Sequence, residues 1–278
     1  MERIKIIADS SSDLFELEGI DYEVAPLKIM TAEREFVDDI NLDVLDMVEY
    51  LRNYKGRSSS SCPNTADWLD SFGDAKRIFC VTITATLSGS YNAAVNAKNI
   101  YEEQYPDRKV HVINSLSAGA ELILTIQKIR DLALAGEEFE DICQKIEQYN
   151  KKTGLLFMLE SMKNLANNGR VSPLIAKMAG ILGIRVVGRA SAQGDLEQLA
   201  KCRGEKKSLE TIVEYLKQYG LKEGRVIINH CFNLDAANEL KKLIKQKFEK
   251  VKVTIGECRG LCSFYAEKGG LMVGYEAI

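Results

Sequence analysis

Short apolar runs alternate with amphipathic segments through the first half of the chain, and this alternation is the strongest constraint on its fold. The apolar runs predict strands at residues 4–8, 22–29, 77–83 and 109–113. Apolar residues at helical spacing predict helices at residues 42–54, 90–105, 120–135 and 139–152. Strands joined through helices need crossover connections, so we predict an α/β fold with a parallel sheet.

The second half of the chain has a different pattern, which predicts a mixed sheet in an α+β arrangement. Strands are predicted at residues 155–159, 184–187, 196–201, 225–231, 252–257 and 270–277, with short helices between the first two. The Gly- and Ser-containing segment 188–194 predicts an antiparallel turn. Ser208 is the expected N-cap of a helix that carries Leu209 and Leu216, and another helix extends to Phe248.

We therefore expect an N-terminal α/β domain at residues 1–153 and a C-terminal domain at residues 154–278. No Pro-, Gly- or Ser-rich linker separates them, which predicts two tightly packed lobes with a ligand cleft between them.

Charge and composition exclude several classes of function. The 278 residues include 37 Lys and Arg against 40 Asp and Glu, so no basic face is expected for nucleic acid or an anionic membrane. No apolar run approaches the length of a membrane span, and the first residues do not resemble a signal peptide. Seven cysteines at scattered positions predict free thiols in a cytoplasmic protein.

Several motifs that bind cofactors or perform catalysis do not occur in the sequence. Neither a dinucleotide fingerprint nor a P-loop is present, and H-E-x-x-H and G-x-S-x-G are also missing. Cys258 and Cys262 form the closest cysteine pair, but no second Cys/His pair completes a metal site, so we expect two buried thiols. No cofactor, metal or catalytic residue is predicted.

Three polar clusters are candidates for a ligand site. The most informative contains Ser88 and Gly89, where a predicted parallel strand passes into a helix. Free backbone N–H groups at such a helix start favour an anion, and the Ser88 hydroxyl can donate to a carboxylate or phosphate. The others contain Ser60 with Ser61, and Arg170.

Each cluster also has a purely structural interpretation. Ser88 can cap its helix, and Arg170 can be a surface residue. Ser60 and Ser61 can belong to a solvated loop at residues 56–63, with Thr65 capping the next helix.

Taken together, five segments resemble the DegV family. They are I-A-D-S-S-S-D-L at residues 7–14, S-S-C-P at 60–63, L-S-G-S-Y-N-A-A at 87–94, V-I-N-S-L-S-A at 112–118 and N-G-R-V at 168–171. They are similar, in the same order, to the family's D-S-x-x-D-L, T-S-Q-P, L-S-G-T-Y-x-x-A, V-I-D-S and G-G-R-I segments.

The resemblance implies a carrier rather than an enzyme. It implies a long-chain fatty acid in an apolar tunnel, whose carboxylate is held by Ser60 and Ser88 and presented to a separate fatty acid kinase. The acyl phosphate formed by that kinase would supply phospholipid synthesis. Arg170 matches an arginine near the head group and the kinase-facing surface. Tyr265 stands where the family has a histidine, and can donate a hydrogen bond without carrying a proton near neutral pH.

Elementary energetics are compatible with this expectation. Burying about 15 methylenes at roughly 0.8 kcal/mol each contributes about 12 kcal/mol before association costs of at least ~4 kcal/mol. An unpaired buried carboxylate would cancel the gain, so donors must meet the acidic end.

The sequence leaves two alternatives open. An enzyme acting on a small anionic metabolite, with Ser88 and Arg170 as an anion clamp, predicts a compact polar cleft. A regulatory protein that has lost the ligand or its coupling to the kinase predicts an occluded tunnel.

Overall fold

The computed structural model describes residues 4–172 and 183–277. The strands are β1 (Ile4–Asp9), β2 (Asp21–Ala25), β3 (Lys28–Met30), β4 (Glu35–Val37), β5 (Ser59–Ser61), β6 (Arg77–Thr82), β7 (Lys109–Asn114), β8 (Thr153–Leu159), β9 (Ile184–Ala190), β10 (Leu196–Arg203), β11 (Glu223–His230), β12 (Lys250–Glu257) and β13 (Leu271–Glu276). The helices are α1 (Val44–Asn53), α2 (Thr65–Phe72), α3 (Ser90–Gln104), α4 (Ala120–Leu134), α5 (Phe139–Asn150), α6 (Lys163–Asn167), α7 (Glu205–Gln218), α8 (Leu234–Lys247) and α9 (Gly260–Ala266).

The N-terminal part is built on a parallel sheet with the strand order β2-β1-β6-β7. Alternate residues of these buried strands pack on opposite faces: Ile6 and Phe79 lie against α4 and α5, whereas Ile7 and Cys80 lie against α2 and α3. The predicted parallel sheet covered by helices is confirmed.

The predicted strand at residues 22–29 is wrong as a single element. Pro26 has no backbone N–H to donate to a ladder, and the chain leaves the parallel sheet between β2 and β3. The strand β3 instead joins a three-stranded antiparallel sheet with the order β4-β3-β5. Its neighbour β5 lies in the predicted loop at residues 56–63, so Ser60 and Ser61 belong to a strand. The next helix, α2, is capped by Asn64 rather than Thr65.

The C-terminal part is a mixed sheet with the order β10-β9-β8-β13-β11-β12, in which only the β11–β12 pair is parallel. The helices α7 and α8 pack on one face of this sheet. The predicted hairpin is present as β9 and β10. Part of the expected helical segment before β9 is α6, and the remainder, at residues 173–182, lies outside the described residues.

The predicted N-cap at Ser208 is wrong. The helix α7 begins one turn earlier, after Gly204, whose φ of 82° is in a region that glycine adopts without strain. Ser208 therefore lies inside the helix, where its hydroxyl donates to the carbonyl of Gly204 at 2.9 Å.

The helix α4 packs between the two large sheets. Its first residue, Ala120, lies so close to β13 that a Cβ at Gly274 would be 2.6 Å from the Ala120 carbonyl carbon. No helix among the described residues is both long and apolar enough to cross a membrane.

Candidate functional site

A cavity of about 270 Å³ lies where the two parts meet, and both contribute to its wall. The six residues predicted for a ligand site all line it: Ser60, Ser61, Ser88, Gly89, Arg170 and Tyr265. The remaining wall is mostly apolar and consists of Leu27, Cys62, Ile83, Leu87, Ala118, Leu155, Phe157, Leu159, Leu165, Leu196, Leu261, Cys262, Ala266 and Met272. The cavity is therefore mostly apolar, with a cluster of hydrogen-bonding groups in its wall.

Ser60 and Tyr265 form a hydrogen-bonded pair across the cavity wall. Ser60 is held opposite Ile29 by the pairing of β5 with β3, and Tyr265 is carried by α9. Their hydroxyl oxygens are 2.7 Å apart. Burial raises the pKa of Tyr265 above its ordinary value, so the phenol is neutral and one hydroxyl of the pair always has a proton to donate.

Ser88 lies in the loop between β6 and α3, which we call the 83–90 loop. Its Oγ accepts a hydrogen bond from the Ser90 backbone N–H at 3.3 Å, so Ser88 satisfies one donor at the start of α3. This bond uses the oxygen and leaves the hydroxyl proton available to a ligand. The capping and ligand-binding interpretations of Ser88 are therefore compatible.

A buried carboxylate, Asp9, fixes both ends of the 83–90 loop. One oxygen of Asp9 accepts from the Ile83 backbone N–H at 2.9 Å and from the Ser90 hydroxyl at 2.6 Å. Ser11 donates to the other oxygen at 2.5 Å. Burial raises the pKa of Asp9 above its ordinary value. In the sequence Asp9 is recognisable only as part of the D-S-S-S-D segment, and nothing there predicts its position under the loop.

Gly89 is in close contact with Cys62 of the neighbouring segment. A Cβ built at Gly89 would lie 3.2 Å from the Cys62 sulfur, so the glycine lets the two segments approach at the cavity wall. Cys62 therefore faces the same space as the serine hydroxyls.

Arg170 is partly buried and joins the two parts of the molecule. Its Nε donates to the carbonyl of Leu87 at 3.2 Å, and one terminal nitrogen donates to the carbonyl of Asn168. The guanidinium carbon lies 5.9 Å from the ring centre of Tyr265. No carboxylate of the described residues forms an ion pair with this cation.

Two carboxylates of the N-terminal part hold the start of α9, the helix that carries Tyr265. Asp38 is fully buried and accepts from the backbone N–H groups of Gly260 at 2.8 Å and Leu261 at 2.9 Å. Asp13 accepts from the backbone N–H of Arg259 at 2.7 Å and from the Asn229 amide at 3.0 Å. Desolvation raises the pKa of Asp13 to about 7 and that of Asp38 to about 6.

Neither role was found from the sequence. Asp13 has a signal in the D-S-S-S-D cluster, whereas Asp38 has none, because its partners are more than 200 positions away.

Cys258 and Cys262 are free thiols and both are buried, as the sequence predicts. Within residues 4–172 and 183–277 no group of three His, Cys, Asp or Glu side chains is placed to hold a metal ion.

The fold and cavity together define a class: α/β proteins in which a parallel sheet and a mixed sheet enclose an apolar pocket with polar groups in its wall. The chain belongs to the DegV family, since the family model described as "Uncharacterised protein, DegV family" matches residues 3–277. The resemblance found in the sequence is confirmed.

Close relatives extend over the whole chain. A DegV domain-containing protein of Streptococcus pneumoniae is 45% identical over 276 residues, 98% of each chain. The solved structure of the S. pneumoniae fatty acid kinase (Fak) B3 protein, loaded with linoleic acid, is 44% identical with a TM-score of 0.98, and covers 99% of this chain and 100% of that one. A DegV family protein from Eubacterium eligens, loaded with heptadecanoic acid, is 41% identical with a TM-score of 0.97 and the same coverage.

Proposed function

We propose that this protein binds a long-chain fatty acid in its cavity and presents the carboxylate to a separate fatty acid kinase, which forms the acyl phosphate. The observation that carries the proposal is the cavity, apolar over most of its wall and polar at Ser60, Ser88, Arg170 and Tyr265. Two relatives more than 40% identical over the full chain were crystallised with fatty acids. The product would be used in phospholipid synthesis.

In this proposal the hydroxyl groups hold the head group. Ser88 donates its free proton to one carboxylate oxygen, and Ser60 donates to the other while it accepts from Tyr265. Ser61 and the backbone of Gly89 complete the polar wall. Arg170 lies near the head group and at the surface that meets the kinase, where its charge offsets the cost of burying the carboxylate.

The protein acts by carriage, not by catalysis. Burial of the acyl chain contributes most of the affinity, and the polar groups fix which end of the ligand points outward. Tyr265 replaces the family's histidine and keeps a hydrogen bond to Ser60. It therefore supports the head group by hydrogen bonding, without transferring a proton to it. The reacting phosphoryl group and its catalytic residues belong to the kinase.

The proposal also specifies the form and location of the protein. We propose that residues 1–153 and 154–278 are the two domains that close on the ligand, and that the chain works as a cytoplasmic monomer.

Ligand carried through purification is the first test. Protein purified from bacteria and then denatured should release fatty acid, identified by mass spectrometry at close to one molecule per chain. Protein without lipid that also fails to take up labelled palmitate would overturn the proposal.

The second test uses a matched pair of variants on β5. Ser60→Ala should weaken palmitate binding, whereas Ser59→Ala, one residue earlier on the same strand and not in the cavity wall, should not. Equal effects would show that the strand, rather than the Ser60 hydroxyl, matters.

The wall composition also bears on the two alternatives. A small anionic metabolite requires a compact polar cleft, whereas leucine, isoleucine, phenylalanine and methionine make up much of this wall. A regulatory protein without ligand requires an occluded space, whereas the space here is open.

A further inference from the structure

The side chains of β8 that face the cavity extend from its polar groups to a closed end. Leu155, Phe157 and Leu159 alternate along β8, so all three face the cavity. Leu159 is nearest to α6 and the turn that carries Arg170, and Leu155 is about 13 Å further away at the strand rise of antiparallel sheets. An acyl chain that starts at Arg170 therefore extends along β8 towards Leu155.

The wall closes at Leu155. This residue is paired with Gly274 on the adjacent strand β13, and the backbone of α4 lies directly on Gly274, 2.6 Å from where its Cβ would be. Backbone atoms of α4 rather than movable side chains occupy the space above Gly274, and neither Gly274 nor Ala120 lines the cavity.

One row of residues across the sheet precedes this closure. Met272 is paired with Phe157, and Phe157 is paired with Gly188, so the three residues lie side by side across β13, β8 and β9. Directly paired residues share a face of the sheet, and both Phe157 and Met272 line the cavity.

Each of the two side chains in this row occupies the space beside a glycine. The Phe157 ring covers Gly188, where a Cβ would be 2.3 Å from its Cζ and 2.6 Å from the Glu197 carbonyl oxygen. The Met272 thioether covers Gly119, where a Cβ would be 2.6 Å from its terminal carbon. Gly188 lies on β9 and Gly119 directly precedes α4, so the two side chains together cover this row of the cavity from β9 to the start of α4.

From this row we infer that Phe157 and Met272 are the residues that set the length of acyl chain this protein accepts. The inference rests on the proposed function and deepens it. Phe157 is a rigid ring wedged between β9 and the cavity, so it limits the depth. Met272 is flexible and adjusts to the last carbons of the ligand.

The expected effect follows from burial per methylene. Affinity should rise about fourfold with each methylene that still finds room, and should stop rising once the chain end meets Phe157. Phe157→Leu should move this limit to longer chains, and Phe157→Ala should move it further. Phe79→Leu, an equally buried substitution outside the cavity, should leave the limit where it is.

The experiment is a competition on the full chain. Each variant is incubated with an equimolar mixture of laurate, myristate, palmitate, stearate and arachidate, and the bound acids are extracted and quantified. The fluorescence of the single tryptophan, Trp68, reports whether each variant is folded. If Phe157→Ala does not fold, the milder Phe157→Leu and a Met272→Ala variant carry the test.

The outcomes separate the two proposals. Wild-type protein that binds none of the acids would overturn the proposed function. Wild-type protein that binds them, with folded Phe157 variants that keep the same length limit, would overturn this inference alone. A shift to longer chains that is absent in Phe79→Leu would support it.

Discussion

Replacing Asp13 with asparagine should make the protein's stability less sensitive to pH, because the carboxylate at this position is desolvated. Its pKa is about 7 in the folded protein against an ordinary 3.8. A raised pKa means that the folded state binds the proton more tightly, so the wild type loses stability as pH rises from about 4 to about 7. Above pH 7, where Asp13 is ionised in the folded protein, the full loss of stability has occurred.

The size of the effect follows from the pKa difference. A shift of about 3 units corresponds to about 4 kcal/mol, of which about 2–3 kcal/mol falls between pH 5 and pH 8. Asparagine cannot ionise and fits the site, since the Asn229 oxygen lacks a hydrogen-bond partner and its amide can turn to accept from the new donor. The free energy of unfolding of Asp13→Asn should therefore gain about 2–3 kcal/mol on the wild type over this range.

Urea unfolding measured by Trp68 fluorescence at several pH values between 5 and 8 tests this prediction. The control is Glu249→Gln, which removes one exposed carboxylate and is measured over the same pH range. A difference for Asp13→Asn that stays constant with pH, or that turns in favour of the wild type as pH rises, would refute the reasoning.

Three further predictions concern the head-group site and the elements that hold it. Ser60→Ala and Tyr265→Phe should each weaken palmitate binding about 5–10-fold, and the double variant by less than the product, because they share one hydrogen bond; fully multiplicative losses in a displacement assay would contradict this. Gly260→Ala should lower the free energy of unfolding by about 1–3 kcal/mol, since a Cβ would lie 2.6 Å from an Asp38 oxygen; an unchanged urea midpoint would contradict it. Asp9→Ala should weaken palmitate binding through the 83–90 loop more than Asp9→Asn, which keeps an acceptor for that loop; equal losses in the displacement assay would argue against this role.

Much of the fold could be predicted because its strands are buried and apolar. The strands β1, β6 and β7 stand out as continuous hydrophobic runs, and the β9–β10 hairpin carries a Gly-containing turn. The short strand β5 could not be found, because three serines have no periodicity and the strand exists only by pairing with β3. Ser208 fits the residue preference for an N-cap, and only the backbone conformation at Gly204 shows that the helix begins one turn earlier.

Only part of the candidate site could be predicted from the sequence. Ser88 and Gly89 follow from their position after a strand, while the grouping of Ser60, Arg170 and Tyr265 with them came from the resemblance. The supporting carboxylates could not be identified, because aspartates are usually exposed and nothing local in the sequence predicts their burial. Asp38 becomes buried only when α9, which begins more than 200 residues later, packs against it.

The open chamber between the two sheets has a thermodynamic consequence. An unfilled apolar space lacks the dispersion contacts that its lining would otherwise make. A bound fatty acid therefore completes the hydrophobic interior of the protein that carries it. Loaded and empty protein should then differ in melting temperature by an amount that grows with the logarithm of free lipid concentration. The unloaded form therefore unfolds more often than the loaded form, and proteases that degrade unfolded chains should remove it first.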